Sequence, residues 1–309
     1  MTMLSITDKN LLQTISDISY IPPASAYNIR KNGAGVERRS NEKVAIVSKT
    51  DKPGIDIRVA PETKGETVYI PVIITDTGVN DKVYNDFYIG ENADVTIVAG
   101  CGIHNSGCHE SRHDGIHRFF IGKNAHVKYV EKHYGEGEGT GARVLNPTTE
   151  VYVGEGALCE METVQIRGVD STERRTDAFL EAGAKFQVTE RLMTHGKQTA
   201  RSDMKVELNG TGASAQIVSR SVAKDGSVQV FNPVATGNAP CRAHIQCDSI
   251  IMDAAKIRSI PEIAANHPDA NIIHEAAIGR INNEQLLKLM TFGMTETEAE
   301  EVIIDGFLK

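Results

Sequence analysis

The chain contains no tryptophan, and Phe, Trp and Tyr together make up only 5% of its 309 residues. Large aromatic side chains fill wide cores, so this scarcity favours a narrow interior of Val, Ile, Ala and Cys. No apolar run reaches the roughly 18 residues that a membrane-spanning helix needs. The N-terminus, Met-Thr-Met-Leu-Ser-Ile-Thr-Asp-Lys, has no cationic stretch ahead of an apolar one, so no secretory signal is legible. A basic excess is also missing: 33 Lys and Arg stand against 41 Asp and Glu, a net charge of −8. That balance argues against a nucleic-acid surface and mainly confers solubility. Neither a phosphate-binding loop nor a dinucleotide fingerprint occurs, so the chain itself is not expected to hold ATP. The five cysteines, Cys101, Cys108, Cys159, Cys241 and Cys247, are odd in number and irregularly spaced. Without a signal segment they read as reduced thiols, and the expected location is the cytoplasm.

What is present is a repeat. Gly-Glu-Asn-Ala-Asp-Val-Thr-Ile-Val begins at Gly90, Gly-Lys-Asn-Ala-His-Val-Lys-Tyr-Val at Gly122, and Gly-Glu-Gly-Ala-Leu-Cys-Glu-Met at Gly154. Their alanines Ala93, Ala125 and Ala157 recur every 32 residues, and fainter copies place Ala184 and Ala213 after steps of 27 and 29. Each copy is a Gly/Asn turn followed by alternating apolar and polar residues, the pattern of a strand with one buried face. One such unit cannot bury its own apolar face, whereas a stack of them can. The expected fold is mainly β, a β-solenoid, with a sandwich-like stack as the alternative.

Three segments follow. Residues 1–43 read as an N-terminal helix and linker, with Thr7-Asp8 as the helix start, Leu11, Leu12 and Ile15 at helical spacing, Pro22-Pro23 as its stop, and a charged loop over Glu37 to Glu42. Residues 44–260 form the strand-rich core. Residues 261–309 end in two helices: Leu286, Leu287 and Met290 share one face of the first, Gly293 ends it, and Thr295-Glu-Thr-Glu298 is a capping box for the second. This hairpin is too small to stand alone. It caps the stack or meets a partner, through Leu286, Leu287, Met290, Phe292 and Met294.

Three constellations can carry chemistry. Cys101-Gly-Ile-His104-Asn-Ser-Gly-Cys108-His109-Glu-Ser-Arg-His113-Asp114-Gly-Ile-His117 is dense in thiol and imidazole, the ligand types of zinc and iron. Its spacing matches no standard zinc module, so the run reads either as an auxiliary metal site of His104, Cys108, His109, His113 and His117 or as a hydrogen-bonded excursion. A metal-dependent hydrolase or lyase using His104, His113, Asp114 and His117 is the enzymatic alternative. Cys247 lies beside Asp248 in a strand-like run, where a cysteine is commonly a small buried hydrophobe. His274-Glu275 follows two apolar residues; it reads as a ligand or acid–base pair, or as a satisfied core His with Glu275 paired to Arg280.

Gln246-Cys-Asp-Ser-Ile-Ile, Pro261-Glu-Ile-Ala-Ala-Asn, Ile273-His-Glu-Ala-Ala-Ile-Gly-Arg-Ile-Asn-Asn-Glu-Gln-Leu and Phe292-Gly-Met-Thr-Glu-Thr-Glu-Ala-Glu-Glu-Val-Ile-Ile-Asp-Gly-Phe together resemble the C-terminal core of SufB/SufD proteins. Those are scaffolds of the SUF iron–sulfur cluster assembly system. Asp94-Val-Thr-Ile-Val-Ala-Gly-Cys101 and the Gly122 repeat are similar to that family's core, so the resemblance runs from Val68 to Phe307. It implies a right-handed parallel β-helix with a C-terminal helical subdomain that docks an ABC-type ATPase, SufC. It also implies pairing through the β-helix, here as a homodimer with Cys247 of one subunit facing His274 of the other, and exchange with a sulfur donor and apo-protein acceptors. By resemblance, Cys247 holds the nascent cluster with His274 and Glu275 as further iron ligands, and Cys101 receives sulfur before it passes along the interior. Soft thiolate and imidazole suit iron. The chain departs from the family in being short at its N-terminal side and in placing His133 where a tunnel Gln is expected. A purely structural adaptor for the ATPase, with buried inert cysteines, is the third reading.

Overall fold

The corner turns set the architecture. Asn92, Asn124 and Gly156 all adopt positive φ, at 54°, 54° and 67°, a conformation open to Gly and tolerated by Asn. Each turns the chain so that the next alanine, Ala93, Ala125 or Ala157, faces the interior and is almost fully buried. The computed structural model describes residues 4–17 and 24–309. Its strands coil about 8 times into a parallel β-solenoid, with successive strands laid alternately into two sheets. One sheet runs Ala26–Lys31, Glu66–Ile74, Asp94–His104, His126–Glu136, Leu158–Arg167, Lys185–Thr194, Ser214–Ala223, Cys241–Ile251 and Ala270–Gly279, each parallel to the next. The facing sheet holds the intervening strands, from Gly54–Val59 and Asn80–Ile89 to Val228–Gly237. The solenoid reading therefore holds, and the sandwich-like alternative does not.

Pairing is in register over long stretches, so residues 27 to 32 apart in sequence stack into columns along the solenoid. A stack is closely packed only if its columns are small or matched in shape, which explains the scarcity of aromatics. Where aromatics do occur they stack: Phe87 lies on Phe119 with ring centroids 4.2 Å apart. The facing sheet is interrupted at Asn146-Pro147 and at Ile260-Pro261. A proline has no N–H for the ladder, so such breaks are natural there.

The strands extend past the expected 44–260 at both ends, because Ala26–Lys31 pairs in parallel with Glu66–Ile74 and Ala270–Gly279 with Cys241–Ile251. The charged stretch expected as a loop over Glu37 to Glu42 is partly the strand Ala34–Arg39, antiparallel to Ala26–Lys31. Long charged side chains suit such an edge strand. Helix α1 (Ile6–Ser16) is capped by Ser5 rather than Thr7: Ser5 and Asp8 form a reciprocal capping box. The proline pair expected to close it, Pro22-Pro23, lies outside the described residues. Helix α1 rests on the outer face of Asp94–His104, where Gly100 allows the approach; a Cβ there would meet the Ile15 carbonyl oxygen at 2.5 Å. At the other end, α2 (Asn283–Thr291) is capped by Asn282, and α3 (Glu296–Phe307) by the Thr295/Glu298 capping box. Helix α3 buries Ile304 and Leu308 with Val222 and Met252. Among the described residues no helix is long and apolar enough to cross a membrane, and all five cysteines are free.

Candidate functional site

Two inward columns of one sheet hold buried thiols and charged groups. The first is Ala99, Glu131, Thr163, Glu190, Ser219 and Cys247, each the register partner of the next. The second starts at Cys101 and continues through His133, Gln165, Leu192 and Ser221 to Ser249. From the opposite sheet Arg174, Ser202, Phe231 and Ser259 form the facing column. Register neighbours in a sheet are about 4.8 Å apart. Cys101 and Cys247 therefore terminate adjacent columns of one polar strip inside an otherwise apolar solenoid.

Charged groups buried here must be paired, and they are. Arg174 donates to Glu131 at 2.6 Å and lies 3.8 Å from Glu190. Tyr129 donates to the other Glu131 oxygen at 2.9 Å, and Ser202 and Ser219 donate to Glu190 at 2.9 and 3.2 Å. Burial opposes ionisation of Glu131, but the charges of Arg174 and His133 overcome it and hold its carboxyl well below the usual range. His133 sits 3.4 Å from both Gln165 and Arg174. Burial pushes the Cys101 thiol far up, helped by the negative charge of Asp81 and Glu131. Two buried polar oxygens beside this strip, Asn85 Oδ1 and Thr163 Oγ1, have no protein hydrogen-bond partner. Each such orphan costs about 1–3 kcal/mol.

At the C-terminal end, Cys247 Sγ lies 3.3 Å from His274 Nε2. The contact follows from strand geometry: Ile245 is the register partner of His274, and Cys247, two residues on, shares its inward face. Only 3% of Cys247 is exposed, and burial pushes its thiol up to about 11, with Ser259 acting in the opposite direction. Burial also lowers His274. The pair is therefore a neutral thiol beside a neutral imidazole, and a metal bound there would displace the thiol proton to solvent. Both groups belong to one chain. Cys247 and His274 thus meet already within one subunit. Glu275 is not brought to them. Its position alternates to the outer face, where it is 66% exposed and 3.6 Å from His244.

The Cys/His-rich run separates on folding. His113 and His117 point inward on the strand Ser111–Ile121, bonded to Asp81 at 3.0 Å and to Tyr129 at 2.9 Å. Asp114 alternates outward and takes Arg112 at 2.9 Å. His104 pairs with Glu136 at 3.1 Å, and Cys108 and His109 sit exposed in the turn between strands. Among the described residues no three His, Cys, Asp or Glu side chains converge as metal ligands. The auxiliary metal site of His104, Cys108, His109, His113 and His117, and the hydrolase constellation built on the same run, are therefore not assembled: strand alternation sends neighbours to opposite faces.

The family model of the SufBD core domain, described as SUF system iron–sulfur cluster assembly, matches residues 82–307. The chain belongs to the SufB/SufD family. An iron–sulfur cluster assembly SufBD family protein of Methanocaldococcus jannaschii is 28% identical over 237 residues, covering 76% of this chain and 74% of that protein. One from Archaeoglobus fulgidus is 26% identical over 276 residues, covering 89% of this chain and 73% of that protein. A third, from Methanothermobacter thermautotrophicus, is 28% identical over 241 residues but is covered for only 57% of its length. The SufBD match takes in Cys101, Cys247, His274 and the helical hairpin, and a role in iron–sulfur cluster assembly follows from it.

In this SufBD core the hairpin keeps part of its apolar surface outside. Leu287 and Phe292 are 60% and 74% exposed and Met290 is also exposed, whereas Leu286 and Met294 are half-buried. The expected five-residue face is therefore divided between packing and solvent. No motif marks the strip of Glu131, Gln165, Arg174 and Glu190. Its signal was available: Ala99, Glu131, Thr163, Glu190 and Ser219 each stand six places after a register alanine.

Proposed function

We propose that this chain is the scaffold on which a nascent iron–sulfur cluster is built before transfer to apo-proteins, in the cytoplasm, with an ABC-type ATPase of the SufC kind as partner. The observation that carries the reading is the Cys247–His274 contact at the end of a buried polar strip that begins at Cys101. A cluster is the cargo here. Cys247 and His274 supply two donors, and the Cys247 proton is released to solvent as iron binds. Sulfur accepted at Cys101 moves past His133, Arg174 and Glu190, whose side chains supply polar stations through the apolar solenoid.

Two donors do not complete a cluster. We assign the remaining ligands to a second copy, so that two Cys247–His274 pairs face each other across a two-fold axis. Supporting this reading, Ala270–Gly279 ends its sheet with an unpaired edge, and Ile273 and Ile278 are exposed on it. An edge strand of this kind pairs readily with another chain. The exposed Leu287, Met290 and Phe292 supply a surface for the ATPase, whose ATP hydrolysis opens the paired ends.

Anaerobic reconstitution with ferrous iron and sulfide tests the reading. The native chain should acquire a visible charge-transfer spectrum and run as a dimer. Cys247→Ala and His274→Ala should lose that spectrum while keeping the solenoid's circular dichroism. An unchanged spectrum in Cys247→Ala sinks the site assignment.

A further inference from the structure

Two hairpins close the N-terminal end of the solenoid, Ala26–Lys31 with Ala34–Arg39 and Val44–Ser48 with Gly54–Val59. Between them lies an open cleft of about 430 Å³. Its floor is formed by Ile70, Val72 and Asn85, and the same three residues wall an inner chamber that contains Cys101, His113, His117 and His133. The chamber, about 20 Å³, has room for about one water-sized molecule. Gly115 makes that room: a Cβ there would meet His117 and His113 Nε2 at 3.2 and 3.3 Å.

The cleft lining is rich in cations, although the chain is acidic overall. Arg30 and Lys49 are neutralised, by Asp81 at 2.6 Å and by Asp56 and Asp86. Arg38 instead donates to neutral groups, Asn28 Oδ1 at 2.9 Å and Ser48 Oγ at 2.7 Å. Lys52 lies over the Tyr84 ring, 4.7 Å from its centroid, with exposed Asp51 at 4.0 Å. The one carboxylate in the lining, Glu37, is held by the Tyr27 hydroxyl at 2.5 Å. Four cations, Arg30, Arg38, Lys49 and Lys52, thus stand in a lining with one carboxylate, and Arg38, whose donors meet only neutral groups, offers its charge to small anions at the mouth.

The throat adds a second selection. The Glu131 carboxylate only accepts hydrogen bonds, so Tyr129 donates to it and accepts from His117 Nδ1. His117 Nε2 is thus an acceptor, and Asn85 donates its Nδ2 to it at 3.4 Å. That chain of donors fixes the Asn85 amide orientation and leaves Oδ1, buried and without a partner, to receive a hydrogen.

We propose that this cleft is the entry port for a small monoanion carrying a hydrogen, of the hydropersulfide class, bound between Arg38, Lys52 and Asn85 on its way to Cys101. The proposal rests on Cys101 as sulfur acceptor. With hydropersulfide the step is balanced. Cys101 sulfur bonds to the terminal sulfane sulfur, the donor's S–S bond breaks, and the thiol proton goes to the departing sulfur. Cys101–SH and HSS⁻ become Cys101–SSH and HS⁻, with no outside oxidant.

The test is loading of the full chain with sodium disulfide under anaerobic conditions, followed by alkylation and peptide mass analysis at Cys101. The native chain should gain one sulfur there. Arg38→Glu and Lys52→Glu should each slow loading about 10-fold at low ionic strength and converge with the native rate in molar salt, with Arg38→Gln intermediate. Asn85→Leu should be slow at every salt concentration, and a neutral organic trisulfide should load all charge variants equally. Native-rate loading of both charge-reversed chains at low salt overturns the port. Loading from a protein-bound persulfide but not from hydropersulfide also overturns it, while Cys101 remains the acceptor. Undiminished cluster assembly by Cys101→Ala removes the acceptor role and the port together.

Discussion

His274 Nε2 and Cys247 Sγ of the same chain are 3.3 Å apart, on the two last strands of a ten-stranded sheet. This contact places both donors at the open end of the solenoid, whereas Glu275, one residue further on, faces solvent beside His244. Cluster acquisition should therefore be lost in His274→Ala and retained in Glu275→Ala. Absorbance after anaerobic reconstitution measures both. Loss in Glu275→Ala would mean that the last strand shifts by one residue when it binds its cargo, since a single-residue slip exchanges the two faces.

The buried Cys247 thiol, pushed up to about 11 from an ordinary 9.0, is protonated at neutral pH, and iron must displace that proton. Iodoacetamide labelling of Cys247 should rise roughly tenfold per pH unit from 8 to 10 without levelling off, because the thiolate is the reactive form. Mass analysis of the Cys247 peptide reads the rate. A plateau below pH 9 would contradict the burial argument.

Arg174 holds Glu131 at 2.6 Å deep in the solenoid. Arg174→Met leaves Glu131 and Glu190 without that charge, at a cost of about 3–5 kcal/mol at neutral pH. The pH dependence has a definite sign. Glu131 is ionised in the native fold well below its ordinary 4.5; its contribution is complete above about 4.5 and is lost as pH falls through the folded value. The variant lacks that contribution, so its deficit should shrink towards pH 4. Urea unfolding at pH 7 and pH 4 checks this, and a deficit constant with pH refutes it.

Burial lowers His117 from 6.5 to about 4, so it stays neutral where the unfolded chain is already protonated. The unfolded state then binds more protons, and stability falls as pH drops from 6.5 to 4, by about 3 kcal/mol in all. His117→Gln should flatten that part of the profile. A ring titration followed by NMR should place the midpoint near 4; a midpoint at 6 would contradict the buried, neutral assignment.

If the hairpin is the proposed docking surface, its exposed and buried residues separate docking from stability. Leu287→Asp and Phe292→Asp alter exposed positions and should change folding stability by no more than about 0.5 kcal/mol, yet abolish co-purification with the ATPase. Ile304→Ala, inside the contact with Val222 and Met252, should cost about 2–5 kcal/mol. Thermal unfolding and pull-down of the two sets distinguish partner surface from packing.

Local rules made much of this protein legible from sequence. Asn and Gly turns before buried alanines, period-two strands and the Thr295–Glu298 capping box each depend on residues within a few positions of one another, and each appears where its pattern lies. The first helix start was misplaced by two residues because Ser5 competes with Thr7 as a cap, and Asp8 closes a reciprocal pair with Ser5. The Cys/His run read as one cluster in the sequence, but the fold divides it, since adjacent residues of a strand face opposite ways.

Tertiary structure alone decided which distant residues meet. Glu131, Glu190 and Cys247 fall in one column only because parallel strands pair in register across coils of unequal length. That register, set by how the buried apolar faces stack, also carries His274 to Cys247 within one chain and turns Glu275 away. Composition and spacing specified the coils; the register of their stacking determined the path inside them.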